Sequence, residues 1–232
     1  MKILAFDTSS TSGSIALLDD RRLIGECTAG DVGTHADWLM PAVDTLLKSS
    51  SVRINEIDLF AASVGPGSFT GLRVGISAVK GLAWALKKNV AGVSTLKSLA
   101  LNLRYSSQLV CPVLDARKGE LYAALYSFMG DKPETLLEES ALPPEKLFRF
   151  LQTEARGRKV VFLGGGLKVY SDAIKSAVKD AVLAPEPLWH VRASNIALLA
   201  SEDYTRNVAP EMLSPVYLRK SEVELKANDS SL

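Results

Sequence analysis

Few side chains in this sequence stand at spacings that do chemistry. The most suggestive stretch is Gly65-Pro66-Gly67-Ser68-Phe69-Thr70-Gly71, which follows the apolar run Leu59 to Val64. A glycine-rich turn from strand to helix either lets backbone N–H groups approach a phosphate or simply turns the chain. It is not a Walker loop, because no Gly-Lys-Ser/Thr follows. Nor does it carry the three spaced glycines that a dinucleotide fold places directly after its first strand. Gly164-Gly165-Gly166, ahead of a later helix, leaves two meanings open: a seat for adenosine or phosphate, or a strand-to-helix turn. His35 and His190 lie far apart without partners at ligand spacing, so no metal site is expected. His35 sits beside Asp37 at a helix start and reads as a polar helix-end or interface residue, with a general base as the alternative. No Gly-x-Ser-x-Gly nucleophile elbow occurs, which leaves a serine hydrolase unsupported.

The elements around these residues are those of a globular α/β chain. The 232 residues are 47% apolar, enough for one large or two small cores, and no apolar run approaches the ~20 residues needed to cross a bilayer. Lys plus Arg number 27 against 26 Asp plus Glu, so the net charge of +1 gives no reason to expect autonomous nucleic-acid binding. Cys27 and Cys111 lack CxxC spacing and the N-terminus lacks a signal-peptide pattern, so a cytoplasmic protein with reduced thiols is expected. Lys2 to Thr8, Ser14 to Leu18 and Arg22 to Thr28 read as strands. Ala36 to Lys48 reads as an amphipathic helix with Leu39, Val43 and Leu46 on its apolar arc.

The helix predicted from Ser68 onward is apolar over most of its circumference. Leu72, Ile76, Val79, Ala83 and Leu86 fall on one face, and Val74, Gly75, Ala78, Gly81 and Ala85 on another. Only Arg73, Ser77 and Lys80 make a polar stripe. One face is expected to pack on a sheet and the small-residue face to receive a second helix.

Near residue 105 the pattern begins again. Leu109 to Leu114 ends in Asp115 as Ile3 to Phe6 ends in Asp7, and an Ala-Leu pair follows at the same distance in each half. A strand from Gly119 to Phe128, a helix from Pro144 to Leu151, a strand from Lys159 to Leu163 and helices from Leu167 and Ser194 follow. This predicts two similar α/β units, residues 1–104 and 105–232, the last residues forming a flexible tail.

That plan resembles the actin-like ATPase (ASKHA) superfamily, whose two ribonuclease-H-like domains hold nucleotide between them. The phosphate loops expected by that resemblance are degraded here. Asp7, Thr8 and Ser9 keep an acid and hydroxyls, and Arg117 and Lys118 stand where the second loop would be, as point charges for a phosphate or as a solvated hairpin tip. With Gly164, Gly165 and Gly166 they are the candidates for a residual nucleotide site, for weak ATP or ADP binding at most; no cofactor is expected.

Within that superfamily, MKILAFDTSSTSGSIAL, THADWLMPAVDTLL, GPGSFTGLRVGISAVKGLA and the late LSPVYLR together resemble the TsaB family, the smaller relatives of the threonylcarbamoyl transferase TsaD. TsaD-like chains carry two metal-binding histidines one helical turn apart; here Thr95 and Leu99 stand at those positions. The resemblance therefore implies a non-catalytic subunit in the synthesis of threonylcarbamoyladenosine on tRNA. It implies TsaD as partner in a heterodimer, the ATPase TsaE in a ternary complex, a homodimer through the same helices, and contact with tRNA only through the complex. On the first helix the implied interface takes His35, Leu39, Val43 and Leu46. On the second it takes Phe69, Thr70, Arg73, Val74, Gly75, Ser77, Ala78 and Gly81. A stand-alone ATP-dependent enzyme and a peptidase acting on its partner are the alternatives.

Overall fold

The computed structural model describes residues 1–155, 157–202 and 207–219. Two mixed sheets carry the same plan. In the first, β1 (Lys2–Asp7) lies between β2 (Gly13–Asp19) and β4 (Leu59–Gly65), with β3 (Arg22–Ala29) beyond β2 and β5 (Asn89–Ser94) beyond β4. In the second, β6 (Leu109–Arg117) lies between β7 (Glu120–Met129) and β9 (Val160–Leu163), with β8 (Lys132–Leu142) and β10 (Val182–Leu183) outermost. In both, the first three strands are antiparallel and the crossover strands parallel to the first. Helices follow at matching points: α1 (His35–Ser49) and α4 (Pro144–Glu154), α2 (Phe69–Leu86) and α5 (Leu167–Ala177), α3 (Thr95–Ala100) and α6 (Ala193–Glu202). The tandem ribonuclease-H-like architecture is thus present as a duplicated unit.

β8 has no counterpart among the sequence-based expectations. Its sequence KPETLLEESAL is charged and half exposed along its length, as an edge strand can be, so the alternation that marks a half-buried strand is blurred.

The layers follow from alternation along the strands. Ile3 and Ala5 of β1 face a middle layer that holds α3 and α6, while Leu4 and Phe6 face α1 and α2. Val110 and Leu114 of β6 face the same middle layer, and Cys111 and Val113 face α4 and α5. Each sheet is covered on both faces, which accounts for its continuous apolar runs. The middle helices interlock: α6, from the second unit, lies on the first sheet, chiefly on β1 and β2, and α3, from the first, packs between the sheets, on β6 and β7 as well as on β4 and β5. Ser14 Oγ accepts from Ala193 N at 3.0 Å and Glu26 Oε1 from Ser194 N at 2.9 Å, fixing the start of α6 on the first sheet.

The assignment of everything after residue 104 to the second unit needs correction at its end. β11 (Asn207–Val208) pairs antiparallel with Ala91 and Val90 of β5, because that edge of the first sheet is otherwise open. Leu213 then enters the core under α2, and Val216 N donates to Val64 O at 2.7 Å. Residues 207–219 therefore form a strap on the first unit. The part of the expected tail at 220–232 lies outside the described residues.

Candidate functional site

α2 begins with Ser68 as N-cap, its hydroxyl accepting from Gly71 N at 3.2 Å, and ends at Lys87 in the left-handed region with φ 54°. Its first two turns lie directly on the loop after β1. A Cβ added to Gly67 would overlap Ser9 O, one on Gly71 would overlap Thr8 O, and one on Gly75 would overlap Thr8 Oγ1. Thr8 Oγ1 donates to Gly71 O at 2.7 Å, and Ser68 N donates to Ser9 O at 2.7 Å. Gly67 just before the helix and the glycine edge of its first two turns thus fill the space above the loop after β1. Thr8 and Ser9 are buried.

Asp7 is fully buried at the end of β1. Its Oδ1 accepts from Ser63 Oγ at 2.6 Å and Ser9 N at 3.3 Å, while Oδ2 has no partner. Burial raises its pKa above the usual carboxylate range; the hydrogen bonds from Ser63 and Ser9 and the nearby His35 act the other way. His35 Nε2 lies 2.7 Å from Ser10 O, so the ring carries its proton on Nε2 and donates it to the loop, and Nδ1 is buried without a partner. The residue staples α1 to the loop, and neither nitrogen serves as a solvent-facing base. Asp7, Ser9 and His35 lie around one loop, but neither Ser9 Oγ nor His35 Nδ1 has a hydrogen-bond partner, so they form no nucleophile–base pair, and Ser9 is only 2% exposed.

The other candidate nucleotide residues are placed differently. Arg117 and Lys118 stand exposed at the tip of the β6–β7 hairpin with φ of 62° and 52°. Gly164 has φ 112°, its missing side chain faces Val113 O, and Gly166 N donates to Val113 O at 3.0 Å. The triplet packs its backbone on β6 and serves as a strand-to-helix turn. Thr95 and Leu99 are both wholly buried in the middle layer. Beside them Ser94 Oγ, the N-cap of α3, donates to the Glu139 carboxylate, which also accepts from Tyr126 OH at 3.3 Å and whose pKa burial raises. Among the described residues no group of three or more His, Cys, Asp or Glu side chains is placed to hold a metal ion. An open groove of about 500 Å³ lies elsewhere, between β3 and α1, lined by Cys27, Trp38, Pro41 and Leu46 among others.

The family model for tRNA N6-adenosine threonylcarbamoyltransferase matches residues 32–227. The tRNA threonylcarbamoyladenosine biosynthesis protein TsaB of Bacillus subtilis is 32% identical over 227 residues, covering 97% of both chains. The chain belongs to the TsaB family. A Pseudomonas aeruginosa crystal structure, described as an uncharacterized protein with similarity to peptidase YeaZ, superposes with a TM-score of 0.82 at 31% identity over 94% of this chain and 99% of that one. The activator of 2-hydroxyisocaproyl-CoA dehydratase from Clostridium difficile shares the fold alone, with a TM-score of 0.52 at 9% identity over 94% of this chain and 100% of that one.

In this TsaB-family chain the residues expected at a partner interface divide into two groups. Leu39, Val43 and Leu46 are buried under α1 in the chain's own core, and Gly75 is buried against Thr8. These four are not available to a partner: an amphipathic arc of a lone helix shows that it must be covered, and here its own sheet covers it. Phe69, Thr70, Arg73, Ser77 and Gly81 are exposed, Val74 and Ala78 half-buried, and nothing lies within 4 Å of where a Gly81 Cβ would stand. Trp84, 68% exposed on the same face, was missing from the expected interface. Its signal was there in the sequence, since it falls between Arg73 and Ser77 on the helical wheel. The strap adds a further neighbour, with the Tyr217 ring stacked on Phe69 at 5.1 Å and the Arg73 guanidinium 3.7 Å from the Phe69 centroid.

Asp7 also yields a stability prediction. A carboxyl whose folded pKa lies above its unfolded value of about 3.9 binds more protons folded than unfolded in the window between the two, so stability falls as pH rises through it. Asp7→Asn keeps the acceptor for Ser63 and gives Ser9 Oγ a donor. It is expected to stabilise the protein at neutral pH, with the gain vanishing below the unfolded pKa. Urea melts of both proteins across pH check this; equal stability at neutral pH would refute it.

Proposed function

We propose that this chain is the non-catalytic, partner-docking subunit in the biosynthesis of threonylcarbamoyladenosine on tRNA, pairing through the outer face of α2 with the threonylcarbamoyltransferase TsaD. The observation that carries the reading is the asymmetry of α2. Its glycine edge at Gly67, Gly71 and Gly75 closes the loop that a nucleotide would need, while the opposite face leaves Trp84 and the small residues Ser77 and Gly81 in solvent. Exposed aromatic side chains beside small ones mark docking sites more often than isolated surface residues do. Membership of the TsaB family and the name of its Bacillus subtilis relative supply the pathway.

The reading extends to partners by family resemblance: TsaE joins as the ATPase of a ternary complex, a homodimer uses the same α2 face when TsaD is absent, and tRNA is met only within the complex. The chain holds no cofactor of its own, and any contact with ATP or ADP is weak. No helix among the described residues is long and apolar enough to cross a membrane.

Size-exclusion chromatography of the chain with and without TsaD from the same organism tests the pairing. Co-elution is expected, together with no threonylcarbamoyl transfer and no appreciable ATP hydrolysis by the chain alone. Robust modification of tRNA by the single component would overturn the non-catalytic assignment, and separate elution would overturn the pairing.

A further inference from the structure

The strap is held mostly by its backbone and by one buried leucine. β11 pairs with β5 at its start, Leu213 sits in the core under α2, Val216 N donates to Val64 O at 2.7 Å, and Arg219 Nη1 donates to Ala116 O at 2.9 Å at its end. α2 adds bonds from its polar stripe: Lys80 Nζ donates to Leu213 O at 3.2 Å, and Arg73 Nε to Tyr217 OH at 3.2 Å. The side chains left outside are apolar, with Met212 69%, Val216 49% and Tyr217 40% exposed.

The exposed apolar surface of the chain is concentrated at this place. Of the eleven large apolar side chains exposed among the described residues, five stand on these two segments, Phe69 and Trp84 on α2 and the three on the strap, so they are a patch and not scattered singles. The patch has two centres. At the start of α2 the Tyr217 ring stacks on Phe69 at 5.1 Å, with the Arg73 guanidinium 3.7 Å from the Phe69 centroid. Further along, Met212 follows Glu211, whose carbonyl oxygen accepts from Lys80 Nζ at 3.3 Å, and Trp84 stands one turn beyond Lys80. Arg73 and Lys80 are thus turned onto the strap, and the outward surface between the two centres is left to Ser77 and Gly81.

We propose that the strap is the second half of the docking face: the partner that covers α2 also closes on Tyr217, Val216 and Met212, with Tyr217 as the anchor. The proposal rests on the pairing reading above and deepens it, because the strap borders the α2 face along one side and continues its apolar surface. The chemistry of the occupant follows from the same residues. It presents an apolar surface that receives the aromatic rings, and a carboxylate opposite Arg73, whose guanidinium is engaged among the described residues by a hydroxyl and a ring and by no acid. Tyrosine is one of the residues on which binding energy concentrates. The backbone anchors on either side of Tyr217 hold its ring in place before docking, so little freedom is lost when a partner covers it.

The test mixes Tyr217→Ala and Met212→Ser, each in turn, with TsaD from the same organism, and reads Kd by titration beside a thermal melt. Tyr217→Ala is expected to weaken pairing about tenfold and Met212→Ser about threefold, while Tyr217→Phe, which keeps the ring, stays within about twofold of the parent. Met129→Ala, which removes a 79% exposed apolar side chain at the β7–β8 hairpin, should pair as the parent does. Parental pairing in both strap variants, or an equal loss in the Met129 control, overturns the strap's part. If Tyr217→Ala melts early, Met212→Ser alone carries the decision. Weaker self-association with pairing to TsaD unchanged would assign the strap to a homodimer contact and overturn the proposal as well. The two readings fail separately: a chain that does not pair with TsaD, or that pairs undiminished as Gly81→Trp, loses the α2 reading. Loss of pairing in Gly81→Trp with full pairing in both strap variants keeps α2 in the interface and removes the strap from it.

Discussion

Replacing Gly71 by alanine is expected to remove a large share of the protein's stability. The new methyl would overlap Thr8 O, a backbone atom at the end of a central strand. Thr8 cannot yield, because its hydroxyl is bonded to Gly71 O and the next residue's carbonyl is bonded to Ser68 N. Overpacking against a fixed backbone costs about 3 kcal/mol or more, a large share of the ~5–15 kcal/mol that holds a domain folded. Gly81→Ala on the same helix is the control. Its methyl enters open space and removes a helix-interior glycine, so that variant should gain up to about 1 kcal/mol. Circular dichroism and urea melts of the pair decide the matter. A Gly71→Ala protein as stable as its parent would show that helix and loop are not held in this contact.

The second large effect is expected at Gly81 when the added side chain is big. Gly81→Trp should fold normally, since nothing of this chain lies within 4 Å of the site, and should lose its partner. An indole standing on the centre of a docking face holds the two surfaces apart and forfeits contacts along the seam. A loss above ~2 kcal/mol weakens Kd more than tenfold. Gly75→Leu would be a poor substitute for this probe, because its side chain would be driven into Thr8 and unfold the chain instead. Co-elution with TsaD, read beside the melting curve, separates the cases: a folded Gly81→Trp chain that still pairs normally would remove α2 from the interface. Arg73→Glu, on the rim of the same face, should change the salt dependence of pairing without abolishing it.

Much of the fold was legible because the strands are buried on both faces and end at turn residues. The runs at Lys2, Leu59 and Leu109, the cap at Ser68, and the repeat of Asp7 at Asp115 each stand out without tertiary information. β8 was not legible, since Glu134, Glu138 and Glu139 interrupt its alternation at a sheet edge. The strap was invisible as an element: its Leu-Ser-Pro-Val-Tyr-Leu-Arg run has neither helical nor strand period, and only its seat on α2 gives it shape. The candidate site was half legible. A helical wheel shows that Gly75 and Gly81 lie on a small-residue side, but it cannot show that Thr8 stands against one and solvent against the other. Leu39, Val43 and Leu46 illustrate the same limit, as periodicity reports that a face is covered and says nothing of which chain covers it.

The interlocking of α3 and α6 in the middle layer bears on how such a molecule moves. Two lobes that open and close need a seam that parts without exposing their cores. Here each lobe keeps a helix of the other as its lining, and Asn195 Nδ2 on α6 bonds Ser98 O at 3.1 Å and Asn102 Oδ1 at 2.8 Å across the gap. Prising the lobes apart would strip Ile3, Ala5, Ala16 and Leu18 of their cover at once. Such interlocking opposes a jaw-like opening and favours a constant angle of α2 toward whatever docks on it.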